Sequence, residues 1–290
     1  MPTIDILGMP HGYDLTAPTA ATEVLVFIHG WMLSRRYWQP VIQHLSPRYQ
    51  CLTYDLRGFG ESQSNQQETL EPAYCAGYSL QAFAQDLTLL LKQLNIQSAW
   101  LVGHSLGGSI ALWGADQMPA QVRGVICLNA GGGIYLKEEF DRFRKAGQQL
   151  VSFRPRWLAQ LPLLDLIFTR MSVDQPLDRC WGRQRLVDFV TANPTAALGS
   201  LLESTTEAEV HRLPQVVSRL QQPVYFITGD KDPIMEPQYV RHLASFHYLF
   251  EGYGANVVEI PNCGHMAMVE QPEAVATQIQ QIISRYTDDL

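Results

Sequence analysis

The sequence predicts an α/β protein in which a mostly parallel sheet is flanked by helices and carries an inserted helical cap. Short apolar runs recur along the 290 residues, each followed by a loop and then a helical pattern. The runs are continuously apolar rather than alternating, as in strands that are covered on both faces. Strands that alternate with helices indicate parallel pairing. The alternation stops at about Ala130 and resumes near Leu213, so the inserted segment lies between these residues.

Six strands and one clear helix follow from these patterns. The strands are predicted, in chain order, at residues 23–30, 50–58, 99–105, 124–130, 223–230 and 256–262. The helix covers residues 79–94, where apolar side chains recur at steps of three and four positions: Leu80, Phe83, Leu87, Leu90, Leu91 and Leu94. Ser79 is placed to cap its first turn.

Two regions of the chain are predicted to form the core, residues 1–130 and 212–290, and residues 131–211 are predicted to form the cap. The cap has a mostly helical pattern, with breaks at Pro155, Pro162, Pro176 and Pro194. A structureless loop of about 80 residues would be unusual in a compact domain. We therefore expect a helical cap over the carboxyl end of the sheet, where open α/β sheets bind ligands.

Composition and charge argue against several classes of protein. The net charge of −7 argues against a nucleic-acid partner. The N-terminus lacks the pattern of a secretion signal, and no apolar run approaches the roughly 18 residues of a membrane span, which predicts a cytoplasmic protein. The five cysteines have no CxxC pair or disulfide spacing, as suits a reducing compartment; they are Cys51, Cys75, Cys127, Cys180 and Cys263. The eight histidines form no metal-binding motif, and we expect neither a metal nor an organic cofactor.

The motif GHSLG at residues 103–107 makes Ser105 the candidate nucleophile. It fits the pattern G-x-S-x-G, and the apolar run AWLV precedes it while a helical pattern follows. A serine in such a strand-to-helix turn needs small neighbours, because the backbone is strained and crowded. The helix N-terminus adds positive potential where negative charge develops. The alternative is that Ser105 is a turn residue without a catalytic role, and that the neighbouring glycines are required only by the geometry of the turn.

A serine hydroxyl needs a base, and a carboxylate must orient that base. His265 follows the last predicted strand, and Asp232 follows the preceding one. The chain order Ser105, Asp232, His265 is the order expected for a nucleophile at a strand-to-helix turn. Two alternatives remain open. In the first, Asp230 rather than Asp232 is the carboxylate that orients the base. In the second, His265 is not the base but a capping residue near Pro272.

Acyl transfer also needs two hydrogen-bond donors directed at the developing oxyanion. The backbone N–H of Leu106 is one candidate. The backbone N–H of Trp31, in the loop after an early strand, is the other, since Gly30 lets the backbone approach closely. His29 and His104 are expected to bond loop backbone and to be structural.

Five motifs occur in a fixed order: FIHGW, DLRGFGES, GHSLGG, GDKDP and NCGHM. Together they resemble the α/β-hydrolase fold family, in its serine-nucleophile branch with a cap domain. The resemblance implies a structural turn at DLRGFGES, built from Asp55, Arg57, Gly58, Gly60 and Ser62. A serine nucleophile departs from the epoxide-hydrolase and haloalkane-dehalogenase branches. Asn129 excludes an acid supplied from that position.

The predicted cap is basic and apolar. Residues 142–185 hold nine Lys or Arg and three Asp or Glu, a balance of +6, which leaves −13 for the rest of the chain. Phe153, Trp157 and Leu161 are the candidate substrate-binding residues. One interpretation is a cap packed on the core with a solvated basic face. The other is an apolar lid with a basic rim that contacts an anionic membrane surface and admits a lipophilic ester.

Residues 129–158 resemble the corresponding part of chlorophyll dephytylases, α/β hydrolases of photosynthetic organisms that remove phytol by hydrolysing a carboxylic ester. The resemblance implies chlorophyll or pheophytin as substrate and peripheral association with the thylakoid membrane.

The sequence thus predicts a serine hydrolase that cleaves a lipophilic carboxylic ester through an acyl-enzyme. The alternatives are another reaction on the same three residues, by a carbon–carbon hydrolase, a lyase or a perhydrolase, and a ligand receptor without catalysis.

Overall fold

The computed structural model describes residues 2–63, 77–131 and 137–286. Within them, eight strands form one sheet in the order β1-β2-β4-β3-β5-β6-β7-β8. The strands are β1 Thr3–Ile6, β2 Met9–Leu15, β3 Val24–Ile28, β4 Gln50–Tyr54, β5 Ala99–His104, β6 Val122–Leu128, β7 Val224–Gly229 and β8 Val257–Ile260. Strands β3 to β8 are parallel, while β1 pairs with β2 and β2 with β4 in antiparallel fashion. The predicted mostly parallel sheet is confirmed.

All six predicted strands are present as β3 to β8, and the hairpin β1–β2 was missed. Strand β2 has the sequence MPHGYDL, in which a proline and a glycine interrupt any apolar run. Both residues are disfavoured in strands and are tolerated near a sheet edge. Because β1 and β2 form the antiparallel edge, the hydrophobic pattern typical of buried parallel strands does not extend to them.

Helices cover both faces of the sheet. They are α1 Gln39–Leu45, α2 Leu80–Gln93, α3 Leu106–Gln117, α4 Lys137–Ser152, α5 Leu164–Phe168, α6 Arg179–Thr191, α7 Pro194–Ser204, α8 Glu207–Arg219, α9 Pro237–Ala244, α10 Glu251–Gly254, α11 Ala267–Glu270 and α12 Pro272–Ser284. Helices α2, α3, α8 and α9 share one apolar core with the sheet, and α1, α11 and α12 share the other. The predicted helix at 79–94 is α2, and the Ser79 Oγ accepts a hydrogen bond from the Ala82 N–H, as expected for its cap.

Four helices, α4 to α7, lie between β6 and α8; we call residues 137–204 the α4–α7 segment. Helix α5 packs on α6, and α4 packs on α7. The boundary predicted between residues 211 and 212 falls inside α8, which packs against α3. Residues 132–136, part of the segment that resembles chlorophyll dephytylases, lie outside the described residues, as does Cys75.

Among the described residues, Cys51, Cys127, Cys180 and Cys263 are free thiols. In the part of the chain that the structure describes, no group of His, Cys, Asp and Glu is arranged to hold a metal ion. None of the helices described has both the length and the apolar character to span a bilayer.

The start of α3 lies unusually close to the strands beside it, at positions where only glycine fits. A Cβ on Gly103 would lie 2.1 Å from the carbonyl oxygen of Gly107. A Cβ on Gly107 would lie 2.3 Å from the carbonyl oxygen of Ile28, at the end of β3. Backbone atoms cannot rotate away as side chains do, so these glycines are required by the close approach.

We predict that Gly107→Ala lowers the free energy of unfolding by more than about 3 kcal/mol, since the added methyl group displaces the backbone of β3 or α3. Gly114→Ala on the same helix is the matched control. Its Cβ would meet the ends of side chains rather than backbone, those of Leu87 and Leu101 at 3.1 Å and that of Met118 at 3.6 Å, and alanine gains up to about 1 kcal/mol in helix propensity. Chemical denaturation measures the free energy of unfolding of both variants. Equal values for the two would contradict the requirement for glycine at position 107.

Candidate active site

Ser105 occupies the turn between β5 and α3 in a strained backbone conformation. Its φ is 52° and its ψ is −118°, a combination that a residue with a side chain rarely adopts. The Ser105 N–H donates to the carbonyl oxygen of Leu128 at 3.0 Å, which ties the turn to the end of β6. The half-buried serine lines a cavity of about 440 Å³. The turn therefore presents the hydroxyl group to a cavity at the N-terminus of a helix.

His265 lines the same cavity and is hydrogen-bonded to Asp232. The distance from His265 Nδ1 to Asp232 Oδ2 is 2.8 Å, and both residues are buried. The His265 N–H donates to the carbonyl oxygen of Ser172 at 2.9 Å, and its own carbonyl oxygen lies 2.8 Å from His104 Nε2. With Nδ1 engaged by the carboxylate, Nε2 is the ring nitrogen left to accept a proton.

Asp232 is held as a carboxylate by four hydrogen bonds. Oδ1 accepts from the N–H groups of Ile234 and Met235, at 2.8 and 2.9 Å. Oδ2 accepts from Asn129 Nδ2 and bonds His265, both at 2.8 Å. Burial acts to raise the pKa of Asp232, but the nearby His265 and the hydrogen bonds outweigh it and hold the pKa below its usual value.

Two groups that support this pair could not be identified from the sequence. Asn129 donates to Asp232 from the end of β6, more than 100 positions earlier in the chain. Glu270 accepts hydrogen bonds from the N–H groups of Gly264, Met266 and Asp174, at 2.9 to 3.0 Å, and so fixes the loop that carries His265. No motif marks either residue, because each acts through contacts made only in the fold.

Asp230, the alternative to Asp232, is placed differently. Its Oδ1 accepts from the Cys263 N–H at 3.3 Å, and its Oδ2 lies 3.4 Å from Lys231 Nζ. It therefore ties the two loops after β7 and β8 together, whereas Asp232 is the carboxylate hydrogen-bonded to His265.

The two predicted oxyanion donors, the N–H groups of Trp31 and Leu106, both belong to residues that line the cavity. Leu106 is the first residue of α3, so its N–H has no acceptor within the helix. Neither N–H has a hydrogen-bond partner among the described residues. The Trp31 side chain is fixed separately, since its Nε1–H donates to the carbonyl oxygen of Ala197 on α7 at 2.9 Å.

The histidines expected to be structural do bond loop backbone. His29 Nδ1 lies 2.8 Å from the Gly30 carbonyl oxygen, and its Nε2 accepts from the Leu56 N–H at 2.9 Å. His104 is buried beside Gly30, where a Cβ would lie 2.7 Å from its ring. Burial lowers the pKa of His104 to about 3, which keeps its ring neutral beside His265.

The DLRGFGES motif forms a buried turn, as the resemblance implied. Ser62 Oγ donates to the Asp55 carbonyl oxygen at 2.7 Å, and Gly58 and Gly60 have positive φ angles of 84° and 51°. The Asp55 carboxylate pairs with the buried guanidinium of Arg35, an interaction that no motif predicted. Arg57 pairs with Asp86 at 3.1 Å, away from the cavity.

Helix α6 holds the loop that follows Trp31. Ser34 Oγ donates to Asp188 Oδ2 and Gln184 Nε2 donates to Asp188 Oδ1, both at 2.9 Å. Burial raises the pKa of Asp188 to about 6, although these hydrogen bonds act to lower it. The α4–α7 segment thus contributes two anchors to this loop, Asp188 and the Ala197 carbonyl.

The cavity is mainly apolar. Its apolar lining comprises Trp31, Met32, Leu33, Leu106, Leu150, Phe168, Met171, Phe189, Leu201, Ile234 and Met266. Among the described residues that line it, Arg185 is the only Lys or Arg. Arg185 is itself buried, and its Nη1 donates to the carbonyl oxygens of Phe168 and Met171 at 2.7 and 2.6 Å.

Phe153, Trp157 and Leu161, the predicted substrate-binding residues, do not line this cavity, and the prediction of their place is corrected. Their side chains are 80%, 55% and 41% exposed, and Phe153 borders a separate cavity. The segment is apolar on more than one face, so composition could not indicate which face turns inward. Helix α5 packs on α6, and in this arrangement Phe168, rather than any of the three predicted residues, lines the cavity.

Comparisons with known proteins agree with the fold. Residues 23–272 match the family described as alpha/beta hydrolase fold. The chain is similar to 2-succinyl-6-hydroxy-2,4-cyclohexadiene-1-carboxylate synthase of Enterobacter sp. (strain 638), with 30% identity over 277 residues that cover 92% of this chain and 93% of the relative.

Two solved structures are also similar. One is a thermophilic esterase from Thermogutta terrifontis with malate bound, with a TM-score of 0.75, 20% identity, and coverage of 98% of this chain and 99% of that chain. The other is the enol-lactonase from Burkholderia xenovorans LB400, with a TM-score of 0.70, 18% identity, and coverage of 98% and 100%. At these identities the likeness concerns the fold.

Asp188 should make stability depend on pH. Its native pKa of about 6 exceeds the unfolded value of about 3.9, so the native state binds more protons between these values. The free energy of unfolding of the wild type, relative to Asp188→Asn, should therefore fall as pH rises from about 4 to 7, by up to about 3 kcal/mol. Denaturant titrations across this range measure it, with Asp178→Asn at the exposed start of α6 as control. A difference in the free energy of unfolding between the wild type and Asp188→Asn that does not change with pH would contradict the prediction.

Proposed function

The chain belongs to the alpha/beta hydrolase fold family, and from this premise we propose that it is a serine hydrolase that cleaves the carboxylic ester of a lipophilic substrate through an acyl-enzyme. The observation that carries the proposal is the combination of Ser105, His265 and Asp232 with two unpaired N–H groups at one apolar cavity.

In the proposed mechanism, His265 Nε2 takes the proton from Ser105 Oγ as the oxygen attacks the ester carbonyl carbon. The N–H groups of Trp31 and Leu106 hold the oxyanion of the tetrahedral intermediate. Asp232 orients the imidazole and stabilises its charged form. His265 then gives the proton to the departing alcohol, which leaves the acyl group on Ser105. A water molecule, activated by His265, releases the acid and restores the serine.

The apolar lining supports a lipophilic substrate. Twelve apolar side chains, the eleven named above and Ala146, line the cavity, and Arg185 is the only Lys or Arg among the described lining residues. Its guanidinium already donates to two backbone carbonyls. An aliphatic chain gains about 25 cal/mol for each Å² that it buries in such a lining, whereas a substrate with several charges would lose its hydration without replacement.

The finer proposal is that the substrate is the phytyl ester of chlorophyll or pheophytin. It is supported by the resemblance of residues 129–158 to chlorophyll dephytylases and by the apolar cavity, which suits a long hydrocarbon chain. Peripheral association with the thylakoid membrane belongs to the same proposal.

A second candidate is a lyase reaction on the same three residues. The observation that favours it is the 30% identity to 2-succinyl-6-hydroxy-2,4-cyclohexadiene-1-carboxylate synthase over 92% of this chain. The compound in that name carries a carboxylate on its ring and a succinyl group. A cavity for such a molecule would need cationic partners, and Arg185 is the only Lys or Arg among the described lining residues.

We predict that Ser105→Ala lowers kcat on aryl esters by at least roughly 10³-fold, because the covalent step is lost. The circular dichroism spectrum should not change. A fluorophosphonate probe should label the wild type and the control Ser218→Ala, whose serine is exposed on α8, but not Ser105→Ala. Wild-type turnover by the alanine variant would refute the nucleophile. If Ser105 is labelled and no ester is hydrolysed, the lyase candidate is favoured.

The pigment proposal predicts that the wild type, incubated with pheophytin in detergent, releases free phytol and the dephytylated pigment. Ser105→Ala should release neither. Chromatography of the pigment measures the reaction directly. Fast hydrolysis of aryl esters without any pigment product would reject the phytyl ester and retain the ester hydrolase.

A further inference from the structure

A large apolar surface is exposed on the α4–α7 segment. Six exposed apolar side chains lie between residues 153 and 167, and we call them the apolar face: Phe153, Trp157, Leu161, Leu163, Leu166 and Ile167. Each is more than 40% exposed, and Phe153 reaches 80%. Single exposed apolar residues are common, but a group of this size within 15 residues indicates an interaction site.

The backbone holds part of this face outward under strain. Leu161 and Leu163 flank Pro162, in the turn between a 3₁₀ helix at Arg156–Gln160 and α5. Leu163 has a φ of 65°, in the left-handed region that disfavours a bulky residue. Its side chain is 61% exposed, so burial within the protein does not compensate for this strain.

The surroundings of the apolar face are positively charged. Between Arg142 and Val173 the only Asp or Glu is Asp165. Asp165 is buried, and both its oxygens accept from Arg179, at 2.7 and 3.3 Å. The exposed cations Lys145, Arg156 and Arg170 form no ion pair with the residues that the structure describes. Residues 142–173 carry +5 and the rest of the chain −12, so an anionic surface would attract this segment more than the rest of the molecule.

The apolar face adjoins the cavity of Ser105. Leu150 and Met171 precede and follow it in sequence, are 44% and 40% exposed, and both line the cavity. They therefore lie at the rim of the cavity and are close in sequence to the apolar face. A molecule that leaves an apolar phase at this face could reach Ser105 along apolar side chains.

We propose that the apolar face docks on an anionic lipid bilayer, with its apolar side chains among the acyl chains and its basic residues at the lipid phosphates. A second copy of this chain is the weaker occupant, because a symmetric interface would bring like positive charges together. Delivery of a lipophilic ester to Ser105 rests on the proposed function, while the docking itself does not.

The first measurement is co-flotation of the protein with vesicles of phosphatidylcholine, alone or mixed with phosphatidylglycerol. The wild type should bind the mixed vesicles, less so in high salt. Trp157→Ser/Ile167→Ser should lower the partition coefficient by roughly tenfold or more, since two inserted side chains lose their burial. Arg156→Gln/Arg170→Gln should lose the preference for the anionic lipid. Phe246→Ser/Tyr248→Ser, which removes two exposed apolar side chains elsewhere, is the matched control and should bind like the wild type.

The second measurement separates docking from catalysis. Trp157→Ser/Ile167→Ser should hydrolyse a water-soluble ester at the wild-type rate and an ester embedded in vesicles more slowly. Vesicle binding without turnover of any ester supports docking and rejects the proposed function. Absence of vesicle binding by the wild type overturns docking, as does binding that the double variant leaves unchanged. If the wild type forms a dimer and binds no vesicles, and if the double variant is monomeric, the apolar face is assigned to contact with a second copy of this chain.

Discussion

The close approach of α3 to the ends of β3 and β5 is the constraint on which the candidate site depends. It requires the absence of side chains at Gly103 and Gly107, whose Cβ atoms would strike backbone carbonyls. The approach forces Ser105 into its strained conformation and brings the Leu106 N–H to the cavity. Since β3 continues into the loop with Trp31, the same packing brings Trp31 and Leu106 to the cavity that Ser105 lines.

The acid and the base depend on a second set of contacts at the carboxyl ends of the neighbouring strands. Asn129 follows β6, Asp232 follows β7 and His265 follows β8, so adjacent strands supply three hydrogen-bonded side chains. Glu270 fixes the histidine loop from α11. Asn129, Asp232 and His265 are buried and hydrogen-bonded to one another through Asp232, and loss of a partner from a buried polar group costs about 1–3 kcal/mol.

The sequence predicted what is encoded locally. Continuous apolar runs indicated β3 to β8, the spacing of leucines indicated α2, and motifs with strong local context indicated Ser105, Asp232 and His265. It did not predict β1 and β2, whose proline and glycine interrupt the pattern. The roles of Asn129, Arg35, Glu270 and Asp188 were also out of reach, since each depends on partners distant in sequence. The misplacement of Phe153, Trp157 and Leu161 has a related cause: apolar character alone does not distinguish a side chain facing a cavity from one facing outward.

Helix α6 connects the segment that carries the apolar face to the loop that follows Trp31. On one side it packs against α5, and Arg185 holds the carbonyls of Phe168 and Met171 at the cavity rim. One turn further, Asp188 holds Ser34, close to the loop residue Trp31. Both contacts are made by buried charged side chains of α6, so a movement of α5 would strain the hydrogen bond from Arg185 to the Phe168 carbonyl oxygen. One helix therefore contacts both the segment that carries the apolar face and the loop that carries Trp31, so residues distant from Ser105 are connected to the position of a proposed oxyanion donor.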